Sequence, residues 1–171
     1  MNNYEIRKVK KDDDKKLAFI QVESWKKAYS SIVPQEHLQK FLDTDYVSSI
    51  YRRLLDNHKG NGYIMKVDGQ YHCIAYWDKA RDSITDDTAE IICIHSLPNN
   101  WRRGYGSIMM QKLLHDMKEQ GYSKVVLWVF RDNERACSFY EACGFRKTGE
   151  SKESMGAIEI SYIRDLQQEL C

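Results

Sequence analysis

A loop with two glycines joins an apolar segment to an amphipathic segment, and this junction constrains the fold more than any other feature. Residues 90–97 are rich in isoleucine and predict a strand. Residues 106–120 carry apolar side chains at i, i+3, i+4 and i+7, which predicts a helix ending at Gly121. A strand, a glycine loop and a helix start direct free backbone N–H groups and the positive helix end towards one point. This geometry is typical of a phosphate site.

An ordinary strand-to-helix turn is the alternative interpretation of the same loop. In that case Gly104 and Gly106 only supply backbone angles that other residues avoid. The loop matches neither GxGxxG nor GxxxxGK[ST], so the usual dinucleotide and nucleoside triphosphate sites are not supported. The loop by itself leaves both interpretations open.

The remaining patterns predict a strand, helices, three strands, a helix, a strand, a helix and two strands. Asp12, Asp13 and Asp14 are expected to cap and charge the start of the first helix, and Pro34 to stop or restart it. The order predicts an α/β or α+β sheet with helices on its faces, and the absence of linkers and repeats predicts one domain over residues 1–171. The predicted strands are 4–9, 62–67, 71–77, 90–97, 125–130, 145–150 and 157–164, and the later helices are 35–42, 46–58, 106–120 and 133–143.

Composition excludes several classes of protein. The 171 residues include 26 Lys and Arg against 25 Asp and Glu, and a formal charge of +1 provides no overall field for nucleic acid. Apolar stretches are far shorter than the roughly 20 residues of a membrane span, and the first residues lack a secretory signal, so we expect a cytoplasmic protein. Five cysteines without CxxC or zinc-like spacing indicate reduced thiols and no metal site. Monomer and homodimer remain open.

Residues 90–150 resemble the core of the GNAT superfamily of acyl-CoA N-acyltransferases. The matching elements occur in order: an acidic residue beginning a strand, P-x-x-x-x-R-G-x-G, an amphipathic helix, a V-x-L-W-V-type strand, N-x-x-A and F-Y-E-x-x-G-F. Trp101 departs from the family pattern, which has glutamine or arginine there. Residues 22–29 with Pro34 are similar to a helix pair of bacterial members. The resemblance implies a mixed, mostly antiparallel sheet of about seven strands whose fourth and fifth strands splay apart.

The resemblance also implies acetyl-CoA as co-substrate, with its pantetheine arm between the splayed strands. Asn133 matches the family asparagine near pantetheine; its position also fits a helix N-cap, and both roles can hold together. The other implied cofactor contacts are the backbone of Ile94, His95 and Ser96 for pantetheine, and Arg102, Arg103, Gly104, Tyr105, Gly106 and Ser107 for pyrophosphate.

Acyl transfer to an amine requires a base for the amine and an acid for the leaving thiolate. Glu90, in the register of a catalytic glutamate of some members, is the candidate base, and a salt bridge is its alternative role. Tyr140 of the F-Y-E motif is the candidate acid, since the resemblance places it near the cofactor sulfur. The alternative for Tyr140 is a core position, because it belongs to an apolar helical stripe.

The acceptor side is defined less sharply by the sequence. His95 alternates to the face opposite Glu90 in a simple strand and is expected to pack, unless a bulge reverses the alternation. Trp25 and Tyr29 are candidates for an aromatic acceptor wall. An acidic cluster before the fourth strand favours a cationic acceptor; it consists of Asp82, Asp86, Asp87 and Glu90.

These features predict an N-acetyltransferase that acts by direct attack of an amine of a small molecule or peptide. A non-catalytic module that binds or senses acyl-CoA is the alternative, because the same loop would serve it. A scaffold without a ligand is a third hypothesis, which the ordered run of motifs disfavours.

Overall fold

The computed structural model describes residues 3–82 and 85–167, which form one seven-stranded sheet in the order β1-β2-β3-β4-β5-β7-β6. Neighbouring strands are antiparallel except β4 and β5, which are parallel. The strands are β1 (Tyr4–Lys8), β2 (Asn61–Val67), β3 (Gln70–Lys79), β4 (Thr88–Ser96), β5 (Lys124–Phe130), β6 (Arg146–Ser154) and β7 (Ala157–Asp165). The α-helices are α1 (Asp14–Ala28), α2 (Gln35–Leu38), α3 (Thr44–Asp56), α4 (Tyr105–Glu119) and α5 (Glu134–Ala142).

Helices cover both faces of the sheet. On one face the fully buried Met109 and Leu113 of α4 pack against Ala75 and Trp77 of β3. On the other face α1 and α3 pack against the alternate residues of β3, among them Ile74. Burying both faces removes a large apolar area from water, which is the main favourable term in folding. The predicted sheet with helices on both faces is confirmed.

The predicted elements are present, with two corrections at their ends. The predicted helix 35–42 is α2 followed by a single 3-10 turn, Gln39–Leu42. The side-chain cap predicted for α1 is wrong, because the carboxylate of Asp13 does not bond to the first turn. It is held instead by Arg7 at 2.7 Å and Lys16 at 2.9 Å. The backbone N–H of Lys10 also donates to it at 2.8 Å, so these three donors already occupy the carboxylate.

A β-bulge at Ile92 divides β4 into two halves. Tyr76 lies opposite Cys93 and Trp77 lies opposite Ile91, so Ile92 is an extra residue on β4. One extra residue reverses the alternation of side chains beyond it. His95 therefore lies on the same sheet face as Glu90, and the placement on opposite faces expected for a simple strand is wrong.

The parallel strands β4 and β5 separate soon after they meet. Their ladder has four residue pairs, from Thr88 opposite Lys124 to Ile91 opposite Leu127. β5 remains paired with β7 along its whole length on the other side. The second half of β4 thus presents strand backbone to a gap, which confirms the splay implied by the resemblance.

In the described ranges, no helix is long and apolar enough to cross a membrane. The same residues contain no group of three or more His, Cys, Asp or Glu side chains placed to hold a metal ion. The thiols of Cys73, Cys93, Cys137 and Cys143 are free, and Cys171 lies outside the described residues.

Candidate active site

Two cavities meet in the gap beside β4. The first, which we call the loop cavity, has a volume of about 590 Å³ and lies along the loop before α4 and the first turns of α5. The second, the aromatic cavity, has a volume of about 490 Å³ and lies between α1, β4 and β5. Five residues line both cavities: Ser24, Ile94, Arg135, Ala136 and Tyr140. A ligand that follows the splay would pass from one cavity into the other.

The glycine loop builds one end of the loop cavity. Gly104 precedes the first residue of α4 with a φ of +85°, a left-handed conformation, and no side chain caps the helix. The N–H groups of the first turn lack partners within the helix, so they are available to an anion at the positive helix end. The predicted pyrophosphate residues all line this cavity: Arg102, Arg103, Gly104, Tyr105, Gly106 and Ser107.

Trp101 connects the loop to its surroundings. Its indole N–H donates to the carbonyl oxygen of Ser96 at 2.9 Å. The guanidinium of Arg135 lies 3.6 Å from the centre of its ring. A carbonyl predicted to face pantetheine is therefore already bonded to the loop, and the residue that departs from the family pattern has a structural role.

Tyr140 stands where the two cavities join. Its side chain is buried in the core formed with Phe145 and Tyr162. The hydroxyl has no hydrogen-bond partner among the residues that the structure describes, and burial raises the pKa of the phenol far above its ordinary value. Tyr140 is consequently a protonated donor at neutral pH, and both predicted roles, core residue and acid, are compatible with its position.

Glu90 is bound to Arg81. The guanidinium of Arg81 donates to the two carboxylate oxygens at 2.6 and 3.1 Å, and the backbone N–H of Arg81 donates at 3.2 Å. Burial alone would raise the pKa of Glu90, but the bonds from Arg81 outweigh burial and the pKa lies below its ordinary value. Glu90 lines neither cavity. This geometry agrees with the salt-bridge alternative.

His95, Trp25 and Tyr29 form part of the wall of the aromatic cavity. The indole N–H of Trp25 donates to Nε2 of His95 at 3.3 Å. Burial, together with the charge of Arg135, lowers the pKa of His95 to about 4, so its ring is neutral at pH 7. A neutral ring with Nε2 occupied carries its proton on Nδ1, where it is a hydrogen-bond donor.

Asn133 has the capping role that its position predicted. Its Oδ1 accepts from the N–H of Ala136 at 3.2 Å, at the start of α5. It also lines the aromatic cavity. It does not line the loop cavity, so the cofactor contact that the resemblance implies remains a prediction.

The acidic residues predicted to steer a cationic acceptor do not line either cavity. Asp86 pairs with Lys79, and Asp87 accepts a hydrogen bond from Ser123. Neither Asp86 nor Asp87 lines the two cavities. These two carboxylates are therefore not placed to bind a cationic acceptor in either cavity.

Two residues of the site were missed in the sequence. Arg135 lines both cavities and follows Asn133 by two positions, so the N-x-x-A motif was a usable signal. Glu159 lines the aromatic cavity from β7, directly opposite Phe130 of β5. Its place depends on pairing between distant strands, for which the sequence holds no local signal.

Comparisons with known proteins agree with this geometry. Residues 19–145 match the model of the family described as Acetyltransferase (GNAT) family. An uncharacterized N-acetyltransferase of Bacillus subtilis, YuaI, is 22% identical over 92% of this chain and 89% of its own. A spermidine N(1)-acetyltransferase of Thermoplasma acidophilum is 24% identical over 83% of this chain and 88% of its own.

Solved structures show the same fold. The PaiA N-acetyltransferase of Thermoplasma acidophilum, in complex with coenzyme A, has a TM-score of 0.78 at 20% identity and covers 95% of this chain and 99% of its own. YncA of Salmonella typhimurium, solved with acetyl-CoA, has a TM-score of 0.73 at 15% identity, covering 99% of this chain and 97% of its own. The family model spans most of the chain and includes the splayed strands, the glycine loop and Tyr140. The chain belongs to the GNAT family of acetyl-CoA-dependent N-acetyltransferases.

Proposed function

We propose that this protein transfers the acetyl group of acetyl-CoA to an amine of a small molecule or peptide by direct attack. The observation that carries the proposal is the junction of the two cavities at Tyr140, beside the unpaired second half of β4. One cavity suits an anionic, extended cofactor, and the other suits an acceptor. A direct reaction requires both reactants to meet at one point, as the junction allows.

The residues present fit acetyl-CoA. The backbone of β4 beyond Ile91 can bond to an extended chain as an added strand would. The first turn of α4 and the side chains of Arg102 and Arg103 offer N–H donors and positive charge for the diphosphate. When bound, acetyl-CoA supplies an acetyl group activated as a thioester.

Tyr140 is proposed as the donor to the leaving sulfur. Burial keeps its hydroxyl protonated, and the same burial raises the pKa of a thiol at this depth, as it raises that of Cys93 to about 12. Because burial raises the pKa of both groups, a thiolate formed beside Tyr140 can share the phenolic proton through a hydrogen bond. General acid catalysis of this kind contributes about 10²- to 10⁴-fold to a rate.

The amine must lose a proton as it attacks. Glu90 was the predicted base, and this role would require the contact with Arg81 to open, because that guanidinium binds both carboxylate oxygens. Water in the aromatic cavity is the other route for the proton. His95 is proposed to position the acceptor through its Nδ1–H.

Thermal unfolding with acetyl-CoA, followed by thiol release with a panel of amines, tests the proposal. At about 100 times its dissociation constant, acetyl-CoA should stabilise the fold by about 2.7 kcal/mol, which raises Tm by roughly 5 to 11 °C. Tyr140→Phe should have the Tm of the wild type and show the same rise with acetyl-CoA, but its kcat should be about 10²- to 10⁴-fold lower.

Three outcomes separate the hypotheses. No stabilisation by acetyl-CoA would refute the proposed site. Stabilisation without thiol release for any amine would favour the sensing module. Full turnover in Tyr140→Phe would leave that residue a core role only.

A further inference from the structure

The charged residues of the aromatic cavity indicate what kind of acceptor it holds. Four cationic side chains and two acidic ones line it: Lys59, Lys79, Arg81, Arg135, Asp78 and Glu159. A simple count of these charges would favour an anionic acceptor. The contacts that each charged side chain makes lead to the opposite conclusion, a cationic acceptor.

Most of the positive charge is already engaged. Lys79 pairs with Asp86, and Arg81 pairs with Glu90. The guanidinium of Arg135 stacks on Trp101, at the end that the loop cavity shares. Lys59 stands at the far end of the cavity, beyond α3, where it also lines a separate surface pocket. The part of the cavity that lies over the paired strands β5 and β7 thus receives no unpaired cation from these four residues.

Glu159 is the acidic group of that part. Within the described ranges it has no ion-pair partner within 4 Å, and it is only partly exposed. Lys152 lies opposite it on β6, but the ammonium of Lys152 sits 4.0 Å from the centre of the Trp128 ring. Burial and the charge of Glu90 raise the pKa of the Glu159 carboxyl, whereas the charges of Lys152 and Arg81 and a hydrogen bond with Ser154 counteract this rise. A partly buried carboxylate of this kind gains from a cationic ligand.

Aromatic rings stand next to this carboxylate. Phe130 lies directly opposite Glu159 on the neighbouring strand, so the two side chains share one face of the sheet. Tyr29 packs edge-on against Phe130 with ring centres 5.0 Å apart, and Trp25 packs on Tyr29 at the same distance. Aromatic faces attract alkylammonium groups. One such contact exists within the chain, where the ammonium of Lys152 lies over the ring of Trp128.

Glu159 lines only the aromatic cavity, whereas Tyr140 lines both cavities. The carboxylate is therefore placed for a part of the acceptor away from the reacting amine. We propose that Glu159, with the rings of Tyr29 and Phe130, binds a second cationic group of the acceptor, so that the preferred acceptor is a diamine or polyamine. This inference rests on the proposed function, because it takes the aromatic cavity as the acceptor site.

Binding calorimetry on the CoA-saturated protein tests the inference without relying on turnover. The probes are cadaverine, pentylamine and δ-aminovalerate, which share a five-carbon chain and differ at its far end. We expect cadaverine to bind about 10- to 100-fold more tightly than pentylamine, and δ-aminovalerate to bind most weakly. Glu159→Gln should remove the preference for cadaverine and leave the affinity for pentylamine within about threefold.

Glu153→Gln is the matched control, since Glu153 is an exposed carboxylate on the neighbouring strand β6 and does not line the cavity. It should keep the preference for cadaverine. Equal binding of cadaverine and pentylamine by the wild type, an unchanged preference in Glu159→Gln, tighter binding of δ-aminovalerate, or no binding of any probe would each overturn the inference.

The thermal shift with acetyl-CoA separates this failure from failure of the proposed function. A protein that acetyl-CoA stabilises but that does not distinguish the diamine refutes the subsite alone. If acetyl-CoA does not stabilise the protein, the proposed function is refuted. The amine titrations repeated without CoA then decide whether Glu159 binds a dication. Glu159→Gln should retain the wild-type shift with acetyl-CoA, which excludes misfolding as the cause of weaker amine binding.

Discussion

Replacing Gly104 by alanine tests whether the loop before α4 holds the cofactor through its backbone. Gly104 has a φ of +85°, and a Cβ added there would meet nothing within 4 Å. The substitution therefore causes no steric clash, and its cost is the left-handed backbone conformation, about 1 to 2 kcal/mol. For a domain of this size, that corresponds to a fall in Tm of roughly 2 to 8 °C.

Gly121 provides the matched control at the other end of the same helix. Its φ is +89°, and a Cβ there would also meet nothing within 4 Å. Gly121→Ala should therefore lose about the same stability as Gly104→Ala. Gly121 lies outside both cavities, so its substitution should leave cofactor binding unchanged.

The two variants should differ in their response to acetyl-CoA. In Gly104→Ala the strained residue relaxes by rotating the adjoining peptide groups, which turns the N–H groups of the first turn away from the diphosphate. The loss of one hydrogen bond to a charged group costs about 1.5 to 3 kcal/mol, or roughly a 10- to 100-fold weaker Kd. Acetyl-CoA titrations followed by thermal unfolding measure this difference. Equal Kd values for the two alanine variants would refute the assignment of the loop.

Two further predictions concern buried ionisable groups. In urea unfolding, Arg81→Gln should destabilise the fold more than Glu90→Gln does. The first variant leaves the buried carboxylate of Glu90 unpaired, whereas the second leaves the guanidinium of Arg81, which water can solvate. A larger loss of stability in Glu90→Gln would contradict the pairing. The ring of His72 is buried with both nitrogens unpartnered in the described part of the chain, and burial with the charge of Arg103 lowers its pKa from 6.5 to about 4. The unfolded chain then binds more protons than the folded one, so the free energy of unfolding should fall by up to roughly 3 kcal/mol as the pH drops from about 6.5 to 4. His95 contributes in the same way, so His72→Phe should remove about half of the dependence of this free energy on pH that the two histidines cause. An unchanged dependence would contradict this.

The sheet, the helices and the glycine loop were predictable because each depends on spacing within a short segment. Alternation and the 3.6-residue period are local properties of the chain. Residues 106–120, for example, differ from the observed α4 by one position at each end. The ordered motifs also predicted the splay of β4 and β5, but only through the resemblance.

Register and side-chain partners were not predictable from the same patterns. Nothing in the run of isoleucines marks Ile92 as the bulge, and the bulge decides which face His95 occupies. The carboxylate of Glu90 is bound by Arg81, which is nine residues earlier and was expected in a polar loop. Glu159 reaches the cavity through pairing with Phe130, across nearly thirty residues of chain. Such contacts depend on tertiary geometry.

The separation of β4 and β5 gives the sheet a pair of edges in the interior of the molecule. Strand edges at the perimeter invite other chains to pair with them, and proteins protect them with charges, prolines or short strands. Here the unpaired backbone lies in a cleft with paired strands on either side. A second protein strand would have to bring its side chains into the interior of the molecule, whereas the cavities beside the cleft, of about 490 and 590 Å³, have the size of small-molecule sites. The cleft thus selects binding partners by their thickness, and it keeps the unpaired backbone of β4 from pairing with other protein chains.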